Sequence, residues 1–275
     1  MKPVVEEISE ETFQKISDLV YQEIGVNLPN KKKAMVNSRL TKRIREKGLS
    51  SFEEYYQYLK DNKSALVDLF NSLTTNVTHF FREDHHFDFL DNQVFPVLRN
   101  KSRKRILIWS AGCSSGEEPY SLAIKFAESF NLDRWDIKIL ATDINTEVLK
   151  LASKGIYQAR QVDKVPYHLL KKYFKLGTGE NAKLFKVKNK LKELIDFRRS
   201  NLNQNNYPIR SKLDFIFCRN VFIYFNQETR NRILNRFHSH LKEGGYLFLG
   251  HSESITNQVQ SKEWKSIDKT TYQKK

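Results

Sequence analysis

Apolar residues recur at three- and four-residue spacings in the first third of the chain, at Phe13, Ile16, Leu19 and Val20 and again at Val36, Leu40 and Ile44. That period puts each set on one face of a helix. Gly25 and Gly48 break the pattern, and Ser50 or Ser51 ahead of "FEEYYQYL" has the form of an N-cap followed by first-turn acids. From Arg105 the pattern changes. "RILIWSA", "DIKILATDI", "LDFIFCRN" and "GGYLFLGHSES" read as strands, separated by the helical stretches "GEEPYSLAIKFAESF", Thr146 to Ser153 and "NQETRNRILNRFHSHL". Strand–helix alternation predicts an α/β fold with a doubly wound parallel sheet. Between its halves, residues 165–200 contain "YFKLGTGENAKLFKVK", two β-prone runs around a Gly-Thr-Gly-Glu-Asn turn, which predicts a small antiparallel insertion. The expected organisation is a helical domain and linker over residues 1–85 and an α/β domain over 86–275.

Composition changes this picture little. Of 275 residues, 39% are hydrophobic and 12% aromatic, enough for a sizeable core and against disorder. The longest apolar runs are a few residues and the first residues, "MKPVVEEISEETF", carry acids where a signal peptide would be apolar, so neither membrane insertion nor export is expected. Cys113 and Cys218 form no disulfide framework and have no metal-ligand spacing, which suits a reduced, cytoplasmic protein without a metal site. The net charge of +15 favours an anionic partner. Charge alone leaves nucleic acid and acidic protein surfaces both open.

The candidate chemistry begins at "WSAGCSSGEEPYS", where a strand turns into a helix and a doubly wound fold binds its ligand. Gly112 and Gly116 do not make the dinucleotide G-x-G-x-x-G, and no Gly-Lys-Ser/Thr follows for a P-loop. Glu117 and Glu118 occupy the first helical turn, where a phosphate would otherwise be attracted; two carboxylates there repel a phosphate and welcome a cation. S-adenosylmethionine carries an ammonium and a sulfonium and no phosphate. Asp143, at the end of the next strand, is placed to accept ribose hydroxyls, or alternatively to cap the following helix.

At this point the chain resembles the chemotaxis receptor methyltransferases, the CheR-type protein-glutamate O-methyltransferases. The resemblance runs in order through "RLTKRIREKGLSSFEEYY", "TTNVTHFFRE", "AGCSSGEEPYSLA", "ATDINTEVLKLASKGIY", "FRRSNL", "CRNVFIYF" and "GGYLFLGHSES". It implies a class I, Rossmann-like S-adenosylmethionine-dependent methyltransferase with a small all-helical N-terminal domain and a small antiparallel β insertion. In place of the general acid-and-glycine loop of methyltransferases stand Ser110, Gly112, Ser114 and Gly116, similar to the family's own "AGCSTGEEPYS".

The resemblance implies that Asn76, Thr78 and Arg82, in the segment joining the two domains, close over the cofactor, with Arg82 near the reaction site. It further implies Gly112 in the binding turn, Glu117 near the methionine ammonium, Asp143 on the ribose, Asn201 and Leu202 around the adenine, Asn220 and Val221 on the pocket wall, and Tyr224 beside the methyl group. Glu118 could exchange roles with Glu117. Phe80 and Phe81 read as packing. Residues 31–47 hold eight Lys/Arg and one acid, Glu46, and the resemblance implies that this helix, through Arg39, Lys42 and Arg45, meets the acidic cytoplasmic helical region of a receptor. The β insertion resembles one that in some members docks a peptide from the receptor C-terminus.

The chemistry is consistent with a carboxylate acceptor. A glutamate with pKa near 4.3 is roughly 99% or more ionised at pH 7, so its oxygen needs placement and desolvation, not deprotonation. Positioning of that kind supplies on the order of 7–11 kcal/mol. No base is required of His251, and Arg82, Arg219 or Tyr224 are expected to orient the acceptor. "RNVFIYF" stands where amine methyltransferases carry an Asn/Asp-Pro-Pro-Tyr-like loop, which argues against nucleic-acid methylation. A cofactor sensor without turnover is the other rival.

Overall fold

The computed structural model describes residues 5–255 and 262–275. Four helices open the chain: α1 (Glu10–Ile24), α2 (Lys33–Glu46), α3 (Phe52–Asp61) and α4 (Lys63–Leu73). Ser9 and Ser51 cap α1 and α3 by accepting the amides of Thr12 and Glu54. Phe13, Ile16, Val20, Val36, Leu40, Ile44, Tyr55, Leu59 and Leu69 interlock in a core of their own, each 1% exposed or less. The apolar stripes of α1 and α2 therefore enter one shared core, α1 packing on α3 and α2 on α4, and Lys42 and Arg45 of α2 are left outside.

Two short helices, α5 (His85–Phe89) and α6 (Phe95–Arg99), joined by a wide π turn, lead into the sheet. Then come β1 (Arg105–Ala111), α7 (Glu117–Ser129), β2 (Asp136–Asp143), α8 (Thr146–Lys154), β3 (Ile156–Gln158), α9 (Tyr167–Tyr173), β4 (Phe174–Leu176), β5 (Leu184–Val187), α10 (Asn189–Lys192), β6 (Ile195–Arg199), β7 (Leu213–Cys218), α11 (Gln227–His240), β8 (Leu241–Leu249), β9 (Trp264–Asp268) and β10 (Thr271–Lys274). The main sheet has the order β6-β2-β1-β7-β8-β10-β9. Its first five strands are parallel, and β10 and β9 run as an antiparallel hairpin at the edge.

Alternation along β1 shows how the sheet acquires two buried faces. Ile106 and Ile108 join the core beneath α7, with Tyr120, Leu122 and Phe126, whereas Trp109 and Ala111 join the core beneath α11, with Ile233 and Phe237. Strand order reverses between β2-β1 and β1-β7, which opens a crevice at the carboxyl end of β1. The separate antiparallel sheet is β3-β5-β4. It starts at Ile156, earlier than the 165–200 segment expected for it, and β6 within that segment belongs to the main sheet.

Candidate active site

The crevice is a cavity of about 1070 Å³, part of it open to solvent. One wall is local in sequence. Gly112 ends β1 at φ +90°, and a Cβ there would lie 2.5 Å from Val221 Cγ2, so only glycine fits the turn. The Ser114 amide donates to Asp143 Oδ2 and the Asn145 amide to Oδ1, both at 2.9 Å. These bonds aim the carboxylate into the crevice. Burial raises its pKa, against the lowering by those amides. Capping of α8 falls to Asn145, whose Oδ1 accepts from Glu147 and Val148.

The opposite wall is the strap running from Thr74 to Arg82, and it is fastened almost residue by residue to distant elements. Asn145 Nδ2 donates to Thr74 Oγ1 (2.8 Å), Tyr224 Oη to the Thr75 carbonyl (3.1 Å) and Ser114 Oγ to the Asn76 carbonyl (3.2 Å), while within the strap Arg82 Nη1 donates to the Val77 carbonyl (2.9 Å). The Phe81 amide donates to Ser121 Oγ (2.9 Å), and Arg219 to the Arg82 carbonyl. Phe81 and Glu83 both sit at positive φ, uncommon for non-glycine residues, on either side of Arg82. Phe80 is fully buried edge-on against Tyr157 and Phe174. Of the polar side chains in "TTNVTHFFRED", the Thr74 and Thr75 hydroxyls are thus fastened to Asn145 and Arg39, and Asn76 and Thr78 line the cavity.

Asn76, Thr78, Arg82, Gly112, Asp143, Asn201, Leu202, Asn220, Val221 and Tyr224 all line this one cavity. Asn201 is fixed by donating to the Glu23 carbonyl (2.7 Å) and accepting from the Asn203 amide (2.9 Å). Asn220, at φ +60°, is held through its amide by Glu253 Oε2 (2.9 Å) and through Nδ2 by Glu83 (3.3 Å). Burial raises the Tyr224 pKa, so its phenol stays a donor.

Two expectations are corrected. Glu117 does not line the cavity: in the first turn of α7, its buried carboxylate accepts from Ser115 Oγ (2.7 Å), and burial raises its pKa. Glu118 takes that place, bound by Ser110 Oγ (2.6 Å) and Arg219 Nε (2.7 Å). Arg219 lines the cavity too, with its guanidinium bound to Glu118 through Nε and to the Arg82 carbonyl through Nη1. Arg39 is also not free for a partner; its contacts go to the strap, as described below. Lys42 and Arg45 are exposed on α2, away from the cavity lining. Not foreseen were Ile24 and Val26, which bring the helical domain into the cavity wall. Val26 forms an antiparallel bridge to Phe225 and the Asn27 amide donates to the Tyr224 carbonyl. The only signal in the sequence for this was the left-handed Gly25 that ends α1.

Behind the strap, Glu83 Oε1 accepts from the His251 amide (3.0 Å) and Nδ1 (3.1 Å). Burial pushes its pKa up, but those donors and Arg219 outweigh it and leave the pKa lowered. His86, fully buried, pairs Nε2 with Thr270 Oγ1 (3.0 Å). Burial and Arg219 push its pKa down to about 2, so the ring is neutral.

Residues 76–272 match the family described as CheR methyltransferase, SAM binding domain, and residues 11–74 match its all-alpha domain. The chain belongs to the CheR methyltransferase family. A Borreliella burgdorferi chemotaxis protein methyltransferase is 41% identical over 97% of this chain and 95% of that protein. Relatives from Escherichia coli K12 and Pseudomonas aeruginosa, named chemotaxis protein methyltransferase and chemotaxis protein methyltransferase 2, are each 41% identical, over 91% and 90% of this chain and 86% and 88% of their own lengths. As a CheR methyltransferase, the chain is an enzyme with a class I α/β domain that uses S-adenosylmethionine. The lining suits that molecule: it presents a glycine cradle at Gly112 and two carboxylates, Glu118 and Asp143, with Arg82 and Arg219 as its cations and no lysine. Among the described residues no helix is long and apolar enough to cross a membrane.

Proposed function

We propose that this enzyme methylates glutamate side chains in the cytoplasmic helical region of methyl-accepting chemotaxis receptors, forming methyl esters. The observation that carries this reading is that the cavity offers no uncommitted base among its described lining residues: its two carboxylates are already bonded, Asp143 to the Ser114 and Asn145 amides and Glu118 to Ser110 and Arg219. Among the described lining residues there is neither histidine nor lysine, and burial raises the thiol pKa of Cys113 well above its usual value. An acceptor that must lose a proton would be poorly served. A carboxylate needs only placement.

In this reading Asp143 accepts ribose hydroxyls, Glu118 faces the methionine ammonium, and Asn201 and Leu202 flank the adenine. The bound S-adenosylmethionine supplies a methyl group on a positively charged sulfur. Arg82, a cationic donor on the strap, holds the incoming carboxylate oxygen in line while the strap excludes water; Tyr224, beside the methyl group, keeps its hydroxyl on the Thr75 carbonyl. Lys42 and Arg45 are offered as the exposed cations that meet the acidic receptor helix. The outer edge of β4, paired only with β5 among the described residues, is offered for a receptor C-terminal peptide, which would add as a further strand.

Incubation with methyl-labelled S-adenosylmethionine and receptor-containing membranes tests the reading. Label released as methanol by mild base, and lost in Arg82→Ala, is the expected result. Base-stable label, or label in nucleic acid, would overturn it, and cofactor binding without any transfer would leave only a sensor.

A further inference from the structure

Helix α2 carries Arg39 and Arg45 on its basic side, and the fold uses them differently. Arg45 is exposed to solvent. Arg39 turns inward: Nη1 donates to the carbonyls of Ser72 (3.3 Å), Leu73 (2.8 Å) and Thr74 (3.0 Å), and Nη2 to Thr75 Oγ1 (3.1 Å). Arg43, one turn on, adds a bond from Nε to Ser72 Oγ (2.9 Å).

The physical cause lies in α4, which ends at Leu73 with no basic residue in its own last turn. Its last carbonyls lack intrahelical donors and carry partial negative charge, so a guanidinium from a neighbouring helix satisfies several at once. These carbonyls also mark where the strap begins. Leu73, Thr74 and Thr75 line the cavity, and the Thr75 carbonyl accepts the Tyr224 hydroxyl. One planar cation in the N-terminal domain thus fixes the departure point of the segment that faces Asp143 across the crevice.

We propose that Arg39 is a positioning residue of the cofactor site: it staples the start of the strap in its closed place, so that cofactor affinity depends on it with no receptor present. The proposal rests on the placement of S-adenosylmethionine in this cavity. Without the staple the strap spends less time closed, and affinity falls in proportion to the closed fraction. Lysine cannot substitute, since a point ammonium does not span three carbonyls and a hydroxyl in the geometry of a planar fork.

Calorimetric titration of the full chain with S-adenosylhomocysteine, without receptor and below each variant's unfolding transition, tests this. Arg39→Ala is expected to weaken binding about tenfold, Arg39→Lys to recover only part of the loss, and Lys60→Ala, at an exposed cation on α3, to bind as the parent does. Thr75→Val, which removes one acceptor and leaves the arginine, is expected to give a smaller loss in the same direction. Hydrogen exchange at amides 74–78 is expected to speed up in Arg39→Ala. Parental affinity and exchange in Arg39→Ala, alongside lost binding in Asp143→Ala, would overturn the staple and leave the cavity assignment standing. Parental affinity in both variants would overturn the cavity assignment and the staple with it.

Discussion

The two walls of the cavity are built in opposite ways. The Gly112–Asp143 wall comes from one strand–turn–helix–strand unit, and backbone amides from within that unit hold the Asp143 carboxylate. The Thr74–Arg82 wall has no regular structure, and its staples come from α2, α7, α8 and the segment after β7. A wall bonded within itself can wait in its binding geometry. One bonded through side chains from elsewhere can loosen as those bonds are lost without unfolding of the strand–turn–helix unit.

The comparison is broken most severely at Arg219, which ties the walls together through Glu118 on one side and the Arg82 carbonyl on the other. Arg219→Ala leaves a buried carboxylate unpaired, and a loss of about 3–5 kcal/mol in unfolding free energy is expected from denaturant titration. Adding Glu118→Gln to that variant should recover part of it. Gly112→Ala strikes the local wall alone. With a Cβ 2.5 Å from Val221 Cγ2 and φ at +90°, a stability loss of about 1–3 kcal/mol is expected, and cofactor binding should be lost in calorimetry while the strap's fastenings persist.

Acid should loosen the support behind the strap. His86 is neutral when folded, with a pKa pushed down to about 2, facing Arg219, Glu83, His85 and Lys269, whereas an unfolded histidine titrates near 6.5. Below pH 6.5 the unfolded chain therefore binds the extra proton. Stability from this group is complete above that pH and falls as pH drops towards 2, by at most about 1.4 kcal/mol per pH unit. Denaturant midpoints at pH 7.5 and 5.5 check this, with a shallower dependence expected for His86→Gln.

Thr74→Val gives the finest separation. The substitution keeps the side chain's shape and leaves Asn145 capping α8, but removes the acceptor of the Asn145 Nδ2 bond. Stability should fall by about 1 kcal/mol, while cofactor affinity falls a few-fold; an affinity that tracks stability alone would argue against an independent strap.

The same division explains what could be read from the sequence. Gly112 and Asp143 were legible because a parallel strand–turn–helix unit is contiguous and its pattern fixes where turn and strand end meet. The α/β class followed from the same alternation. Which of Glu117 and Glu118 faces the cavity was not legible: they are adjacent on one helical turn, and the choice is made by Arg219, 101 residues beyond Glu118. Arg39 was taken for a surface cation because its target, the uncapped end of α4, lies 33 to 36 residues away. Ile24 and Val26 joined the site only through packing between the domains.

The most direct test of the two-walled site is amide hydrogen exchange of the full chain with and without S-adenosylhomocysteine. If the strap closes over the ligand, amides in 75–82 gain protection together with those in 112–116 and around Asp143, and the gain in 75–82 shrinks in Arg39→Ala. Protection confined to the strand–turn–helix unit, with residues 75–82 exchanging as fast as in the free protein, would contradict it.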